Sequence, residues 1–205
     1  MPPGYPVLLD LTGRPVVVVG AGPVAARKIA GLLDAGAIVR CVAPAAVDPV
    51  RALAGAGRIT LVARPYQPGD LGEAVLAFAA TGVPEVDRAV AADAGAAGIP
   101  VNVAGAPAEG WFTTPAVLRR GDLIVAVATS GRTPGLAGAL RRRLAADLGP
   151  EWATLVRLLG EVRDRLPPAA DTAAWDRLLT VLDDLHDGDE GRARVRLEGF
   201  LGSTS

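Results

Sequence analysis

The chain has 205 residues, which is enough to bury a full core as one domain with an appendage or as two small domains. Half of the residues are hydrophobic but only 4% are aromatic, so we expect a core of alanine, valine and leucine. With 21 basic and 22 acidic side chains the formal net charge is −1, which excludes a strong overall attraction to nucleic acid.

The chain shows no charged and apolar leader and no apolar run long enough to span a bilayer, so we expect a cytoplasmic protein without a membrane partner. Cys41 is the only cysteine, which excludes an internal disulfide. It lies in a predicted strand, where we expect a small buried hydrophobe. His186 is the only histidine, so a multi-histidine metal site within one chain is excluded and no bound metal is expected.

The strongest local signal is a glycine-rich turn that follows four consecutive valines at 16–19. A β-branched run without polar alternation is typical of a strand covered on both faces. Gly20-Ala21-Gly22-Pro23-Val24-Ala25 then fits the G-x-G-x-x-(G/A) turn, after which a helix is predicted that ends at Gly36. This arrangement predicts a dinucleotide site at the helix N-terminus. A purely structural turn between strand and helix is the alternative.

Strands and helices alternate along the first half of the chain. Further strands are predicted at 38–43, 59–62, 76–80 and 99–103, and helices at 51–56 and 85–97. This order predicts an α/β fold with a parallel, doubly wound, Rossmann-like sheet. Ligand is expected at the carboxyl ends of the strands, near the glycine-rich turn and near Pro44, Ala45, Thr81 and Asn102.

The acidic residue that usually binds the adenosine ribose is missing after the second strand, because Asp48 comes too late. The residues themselves therefore leave the choice between NAD and NADP open. Arg40 either contacts a 2′-phosphate or, as is commoner for an arginine in a strand, points to solvent.

The pattern changes after residue 104. A loop is predicted at 104–109, an extended stretch at 111–115, and a strand at 123–128, before Thr133 and Pro134 begin a helix that ends near 148. The start of this helix, with Ser130 and Arg132 beside it, either binds an anion or is an ordinary capped terminus.

From Glu151 the chain is predicted to be helical. Its apolar positions recur at helical spacing and are interpreted as packing surfaces. They are Trp152, Leu155, Leu159, Val162 and Leu166, and, after a break at Pro167-Pro168, Trp175, Leu178, Leu179, Leu182 and Leu185.

Several segments, taken together and in order, resemble the precorrin-2 dehydrogenase family, the dehydrogenase and chelatase module of siroheme synthases. They are YPVLLDLTGRPVVVVGAGPVAARK, ARPYQPGDL, LAFAAT, IPVNV and AVATSGRTPGLAGALRRRL. The match extends over about residues 4 to 150 and includes Arg27-Lys28, where the family has an Arg-Lys pair.

The resemblance implies a Rossmann domain at 1–111, a central dimerisation segment at 112–149 and a small helical domain at 150–205. It implies NAD⁺ as the hydride acceptor, a tetrapyrrole substrate and a homodimer. The expected cofactor-binding residues are Gly20, Ala21, Gly22, Pro23, Val24, Pro44, Ala45, Thr81 and Asn102. The expected substrate-binding residues, in the part that the resemblance places across the cleft from the nicotinamide, are Arg119, Arg120, Thr129, Ser130, Arg132 and Thr133.

The chain departs from the family at two places that carry acidic residues. Gly105 stands where the family has an aspartate to which both dehydrogenation and chelation have been attributed, and Gly82-Val83 replaces an acidic pair. Glu109 is the candidate substitute for the proton acceptor, and a solvated loop residue is the alternative. Water or a carboxylate of the substrate would then take the proton instead.

Three functions follow as hypotheses. The first is an NAD-dependent precorrin-2 dehydrogenase that forms sirohydrochlorin in siroheme biosynthesis. The second is a tetrapyrrole- or nucleotide-binding carrier or regulator with weakened chemistry. The third is a sirohydrochlorin chelatase, which Gly105 and the lack of histidine ligands disfavour. Hydride transfer depends mainly on positioning cofactor and substrate together, which favours the first.

Overall fold

The structure is a computed structural model that describes residues 4–164 and 181–202. The chain divides into two compact units, Met1–Thr114 and Pro115–Ser205, which are described separately below. The predicted apolar positions Leu166, Trp175, Leu178 and Leu179, and the break at Pro167-Pro168, lie outside the described residues.

The first unit contains a five-stranded parallel sheet with strand order β3-β2-β1-β4-β5. Its elements, in chain order, are β1 (Pro15–Val19), α1 (Pro23–Asp34), β2 (Ile38–Val42), α2 (Asp48–Gly55), β3 (Thr60–Val62), β4 (Leu76–Ala79), α3 (Pro84–Ala97) and β5 (Val101–Val103). A short 3-10 helix, Pro107–Glu109, follows β5. The predicted doubly wound, Rossmann-like sheet is confirmed.

The run of valines in β1 supplies both faces of this sheet. Val16 and Val18 pack with Ile29 of α1 in one apolar cluster, while Val17 and Val19 belong to the cluster on the opposite face. Successive side chains of a strand point to opposite faces, so a strand covered on both sides needs apolar residues at every position. β1 is therefore fixed at the centre of the sheet, with the glycine-rich turn at its carboxyl end.

Two helix ends and one helix start show how local sequence sets the boundaries. Gly36 and Gly98 have φ values of +76° and +69° where α1 and α3 end, as the glycine signals predicted. α2 begins at Asp48, three residues before the predicted start, because Pro49 fits the first turn of a helix and Asp48 favours its positive end.

The second unit begins with a hairpin, of which only the second strand was predicted from the sequence. β6 (Ala116–Arg120) pairs antiparallel with β7 (Leu123–Val127), and the predicted strand at 123–128 is the second of the two. Gly121, with φ +55°, and Asp122 form the two-residue turn between them. A Gly-Asp pair between two β-rich runs is the sequence signal that predicts such a hairpin.

Helices follow the hairpin: α4 (Pro134–Asp147), α5 (Glu151–Arg163), α6 (Val181–His186) and α7 (Glu190–Gly202). Leu155 and Leu158 of α5 pack with Leu185 of α6 and Leu197 of α7 in a separate apolar core. The interpretation of Trp152, Leu155, Leu159, Leu182 and Leu185 as packing residues is confirmed.

In the ranges that the structure describes, no helix is long and apolar enough to cross a membrane.

Candidate dinucleotide site

The two glycines of the turn have different structural roles. Gly20 has φ +106°, and a Cβ atom there would lie 2.3 Å from the carbonyl oxygen of Ala80. Gly22 has an ordinary φ of −82°, and apart from the adjacent residues of the chain no heavy atom of the described residues lies within 4 Å of the place its Cβ would occupy. Gly20 is therefore required by the packing of β1 against β4, while the space beside Gly22 is open to a ligand.

The N-terminus of α1 is suited to an anion. Gly22 is the N-cap residue, and within the described part of the chain no side chain caps this helix. The first turn reads Pro23-Val24-Ala25-Ala26, so it carries no acidic side chain, in contrast to α2 and α3. Pro23 has no N–H group, and the Ala26 N–H donates to the carbonyl oxygen of Gly22 at 2.9 Å. The N–H groups of Val24 and Ala25 and the positive end of the helix dipole are thus available to a phosphate group. These residues fit a dinucleotide pyrophosphate.

The segment after β2 forms a second side of this site. The Val47 N–H donates to the carbonyl oxygen of Ala21 at 3.0 Å, which ties the segment to the glycine-rich turn. Pro44 and Ala45, just before it, are exposed. Their contact with the cofactor stays a prediction.

Arg40 forms an ion pair, while 43% of its side chain remains exposed to solvent. Its guanidinium contacts the carboxylate of Asp70 at 3.3 Å, and Arg64 binds the same carboxylate at 2.6 Å. Asp70 is buried, and hydrogen bonding from Arg64 is the main reason that the pKa of Asp70 lies below its ordinary value. Arg40 therefore helps to fix the connection between β3 and β4.

Cys41 lies beneath the turn, and its thiol contacts the carbonyl oxygen of Gly20 at 3.4 Å. Burial raises the pKa of this thiol to about 11, so it stays protonated at neutral pH. The prediction of a buried, hydrophobic cysteine is confirmed.

Thr81 lies at the end of β4, next to Gly20. Its N–H and its hydroxyl both donate to Oδ1 of Asp87, at 3.0 and 2.7 Å. Asp87 is a buried residue of the first turn of α3, and it was not predicted as part of the site. The Thr81 hydroxyl is thus engaged within the protein, and Asp87 fixes this end of β4.

Asn102 is buried, and both ends of its amide are bound internally. Its Oδ1 accepts a hydrogen bond from Nζ of Lys28 at 2.8 Å, and its Nδ2 donates to the carbonyl oxygen of Phe112 at 2.9 Å. A contact of Asn102 with a cofactor would have to use its backbone. Its side chain links α1 to the chain that follows the 3-10 helix.

Glu109 and Gly105 lie in the loop that follows β5. Gly105 has φ +86°, and no described heavy atom lies within 4 Å of the place its Cβ would occupy. Glu109 ends the 3-10 helix, is exposed, and donates its N–H to the carbonyl oxygen of Ala106 at 2.9 Å. Its carboxylate is therefore carried by an ordered turn and is open to an incoming substrate.

The predicted substrate residues belong to the second unit. Arg120 is committed elsewhere, because its guanidinium donates to the carbonyl oxygens of Leu148 and Ala145, at 2.8 and 3.1 Å, and so caps the end of α4. Arg119 and Arg132 are exposed.

The loop before α4 brings the remaining predicted substrate residues together. The Thr133 N–H donates to Oγ1 of Thr129 at 3.2 Å, and Ser130 adopts a left-handed conformation with φ +50°. Ser130 and Thr133 are exposed beside Arg132.

Comparisons with known proteins identify relatives of both units. Residues 7–116 match the model of the NAD_binding_7 family, described as NAD(P)-binding. A siroheme synthase of Methylobacillus flagellatus is 36% identical over 203 residues, which are 96% of this chain and 44% of that protein. A siroheme synthase of Ectopseudomonas mendocina is 41% identical over 161 residues, which are 78% of this chain and 34% of that protein. The chain thus spans less than half the length of these curated relatives.

A solved structure is also similar over nearly the whole chain. SirC, a precorrin-2 dehydrogenase, matches with a TM-score of 0.72 and 27% sequence identity, over 96% of this chain and all of that one. The matched family model covers the glycine-rich turn, the open N-terminus of α1 and the strand ends described above. The chain therefore belongs to the NAD_binding_7 family of NAD(P)-binding proteins. The prediction of NAD as the cofactor is confirmed, and its binding at the glycine-rich turn stays a prediction.

Proposed function

We propose that this protein oxidises precorrin-2 to sirohydrochlorin with NAD⁺ as the acceptor. The observation that carries the proposal is the match to the precorrin-2 dehydrogenase SirC, which extends over that whole chain. The siroheme synthases that are 36% and 41% identical to this chain support the same chemistry. In the reaction, one hydride and one proton leave precorrin-2, and sirohydrochlorin, NADH and H⁺ are formed.

The first unit binds the dinucleotide. The N–H groups of the first turn of α1 and the open space at Gly22 hold the pyrophosphate, while Pro44 and Ala45 border the nucleoside. Bound NAD⁺ supplies the hydride acceptor. Gly20 and Asp87 act indirectly, since they fix the strand ends that surround the site.

Glu109 is the proposed proton acceptor. It is an exposed carboxylate on the 3-10 turn after β5, in the loop where Gly105 provides no side chain. A positioned carboxylate accepts the proton that leaves the macrocycle, and such a group typically contributes about 10²–10⁴-fold to a rate. Glu109→Gln keeps the size and removes the base, so we expect turnover to fall at least tenfold while the Kd for NAD⁺ stays unchanged.

The carboxylates of the substrate require cationic or N–H partners. We assign this role to Arg132 and to the segment 129–133 before α4, because Arg132 is exposed there and Arg suits bidentate carboxylate contacts. Arg119 is a further exposed candidate, whereas Arg120 is committed to the end of α4. Arg132→Ala should weaken tetrapyrrole binding and leave NAD⁺ affinity unchanged.

The proposed assembly is a homodimer formed through the second unit. Val117 on β6 and Leu136 and Leu140 on α4 are exposed apolar side chains, which is typical of a surface that pairs with another chain. Light scattering at micromolar concentration should give twice the 20.8 kDa mass of the chain. A monomeric mass would contradict this assembly.

The test of the function is an anaerobic incubation of the protein with precorrin-2 and NAD⁺, followed through the absorbance of sirohydrochlorin. Formation of sirohydrochlorin that depends on both protein and NAD⁺ supports the dehydrogenase. Binding of NAD⁺ and tetrapyrrole without turnover would favour the carrier instead. Arg27→Met is the matched control for Arg132→Ala, because it also removes the charge of an exposed arginine.

A further inference from the structure

Lys28 is the only lysine of the chain, and its ammonium group is placed in an unusual environment. It is half-buried on α1, with Nζ 5.0 Å from the centre of the Phe78 ring and 2.8 Å from Oδ1 of Asn102. No carboxylate of the described residues forms an ion pair with it. Desolvation, and secondarily Arg27, lower the pKa of Lys28. The hydrogen bond to Asn102 therefore compensates part of the cost of burying this ammonium group without a carboxylate partner.

Asn102 passes this contact on to another part of the chain. Lys28 can only donate and the Phe112 carbonyl can only accept, so the two partners fix the orientation of the buried amide. Phe78 and Asn102 are register partners in β4 and β5, which places Lys28 over both strands. Two hydrogen bonds thus connect α1 to Phe112 through the edge strand β5. One joins the Lys28 ammonium group to the Asn102 amide, and the other joins that amide to the Phe112 carbonyl. We call these two linked hydrogen bonds the relay.

The chain at Phe112 closes the loop that carries Glu109. The Trp111 N–H donates to the carbonyl oxygen of Val101 at 2.8 Å, and a Cβ atom at Gly110 would lie only 2.8 Å from that same oxygen. The Phe112 ring packs edge-on against Phe78, with ring centres 5.5 Å apart. Residues 110–112 therefore lie along β5, and residues 104–110 form a loop whose two ends are held together.

We propose that Lys28 and Asn102 are positioning residues that hold the loop 104–110 against β5 and so place the carboxylate of Glu109. Without the ammonium group, Oδ1 of Asn102 lacks its donor and the amide is free to turn away from Phe112. The base of the loop would then open more often, although neither the sheet nor the N-terminus of α1 has changed. The part of this inference that concerns turnover rests on the proposed function, whereas the part that concerns the loop does not.

The structural arm of the test compares Lys28→Met with the parent by amide hydrogen exchange. Lys28→Met keeps the apolar stem and removes the donor, and loss of one such hydrogen bond corresponds to about a tenfold change in an opening equilibrium. We expect the Trp111 amide to exchange about tenfold faster, and the Val18 amide of β1 to exchange within twofold of the parent. Lys28→Arg, which keeps a donor and a charge, should restore slow exchange at Trp111.

Arg27→Met is the matched control in this arm as well, since it removes a neighbouring charge from an exposed side chain and should leave both amides unchanged. Equal exchange of Trp111 in Lys28→Met and the parent would overturn the proposal. So would equal acceleration of Trp111 and Val18, because that result would mean a general loss of stability.

The catalytic arm uses the double variant with Glu109→Gln. If Lys28 acts by placing Glu109, Lys28→Met should lower turnover about tenfold in the parent but less than twofold once Glu109 has been replaced. Calorimetry should give the same Kd for NAD⁺ in every variant. Independent, multiplying losses would overturn the link to Glu109. If the parent oxidises no precorrin-2, the proposed function fails, and the hydrogen-exchange result still decides the role of the relay.

Discussion

Replacing each of the two turn glycines should separate folding from cofactor binding. Gly20→Ala places a methyl group 2.3 Å from the carbonyl oxygen of Ala80 and 2.9 Å from the Thr81 nitrogen. Both atoms belong to the backbone, so no side-chain rotation relieves the overlap. Gly22→Asp adds its side chain where no described heavy atom lies within 4 Å of the Cβ position. The first change should therefore disturb the sheet, and the second only the ligand.

The magnitudes differ accordingly. An L-residue in a sparsely populated backbone region costs about 1–3 kcal/mol, and the displaced end of β4 adds to this, so Gly20→Ala should lower the free energy of unfolding by about 3–5 kcal/mol. Aspartate is a favoured N-cap residue, so Gly22→Asp should change that free energy by less than about 0.5 kcal/mol. Like charges about 4 Å apart repel by about 4 kcal/mol near a protein surface, so NAD⁺ affinity should fall by about a hundredfold or more.

Both quantities are measurable on the whole chain. Hydrogen-exchange mass spectrometry in increasing urea, on peptides that cover β1 and β4, gives the stability of the first unit, and calorimetric titration gives the Kd for NAD⁺. The reasoning is refuted if Gly22→Asp binds NAD⁺ as tightly as the parent, or if Gly20→Ala is as stable as the parent.

Three further predictions concern single side chains. Asp70→Asn should lower the free energy of unfolding, measured in urea, by about 2–3 kcal/mol. Glu73→Gln, which changes an exposed neighbour, should leave that free energy unchanged and is the control. Because the pKa of Asp70 is lowered, its stabilisation is fully present above the ordinary value of 3.8 and is lost below it, as the pH falls through the lowered pKa of the folded state. A pH-dependent urea titration of the parent and Asp70→Asn should show this loss. Arg120→Met should destabilise the second unit by about 1–2 kcal/mol in urea-dependent hydrogen exchange without affecting the Kd for NAD⁺; a changed Kd would contradict its structural role.

Local sequence was sufficient to predict most of the first unit. The valines of β1, and the glycines that end α1 and α3, act through backbone preferences and burial, which a short window of sequence contains. β6 was not predicted, because it is recognised only as the partner of β7 across the two-residue turn Gly121-Asp122. Its own sequence, AVLRR, shows little alternation of apolar and polar residues.

The parts of the site that are formed by the backbone of consecutive residues were predictable from the sequence. The parts that depend on contacts between residues far apart in the sequence were not. The glycine-rich turn and the uncapped α1 follow from consecutive residues. Lys28 and Asn102 are 74 positions apart, and only the folded sheet brings the Lys28 side chain on α1 next to Asn102 on β5. The sequence alone therefore indicated Asn102 as a ligand contact, whereas its side chain is used within the protein. The engagement of Arg40 by Asp70 has the same origin.

The most direct test of the central claim follows NADH and sirohydrochlorin together in one anaerobic reaction started with precorrin-2. If the open N-terminus of α1 holds the hydride acceptor, the parent should form one NADH for each sirohydrochlorin, and Gly22→Asp should form neither at the same NAD⁺ concentration. Sirohydrochlorin formed without NADH, or equal rates in the parent and Gly22→Asp, would contradict NAD-dependent oxidation at this site.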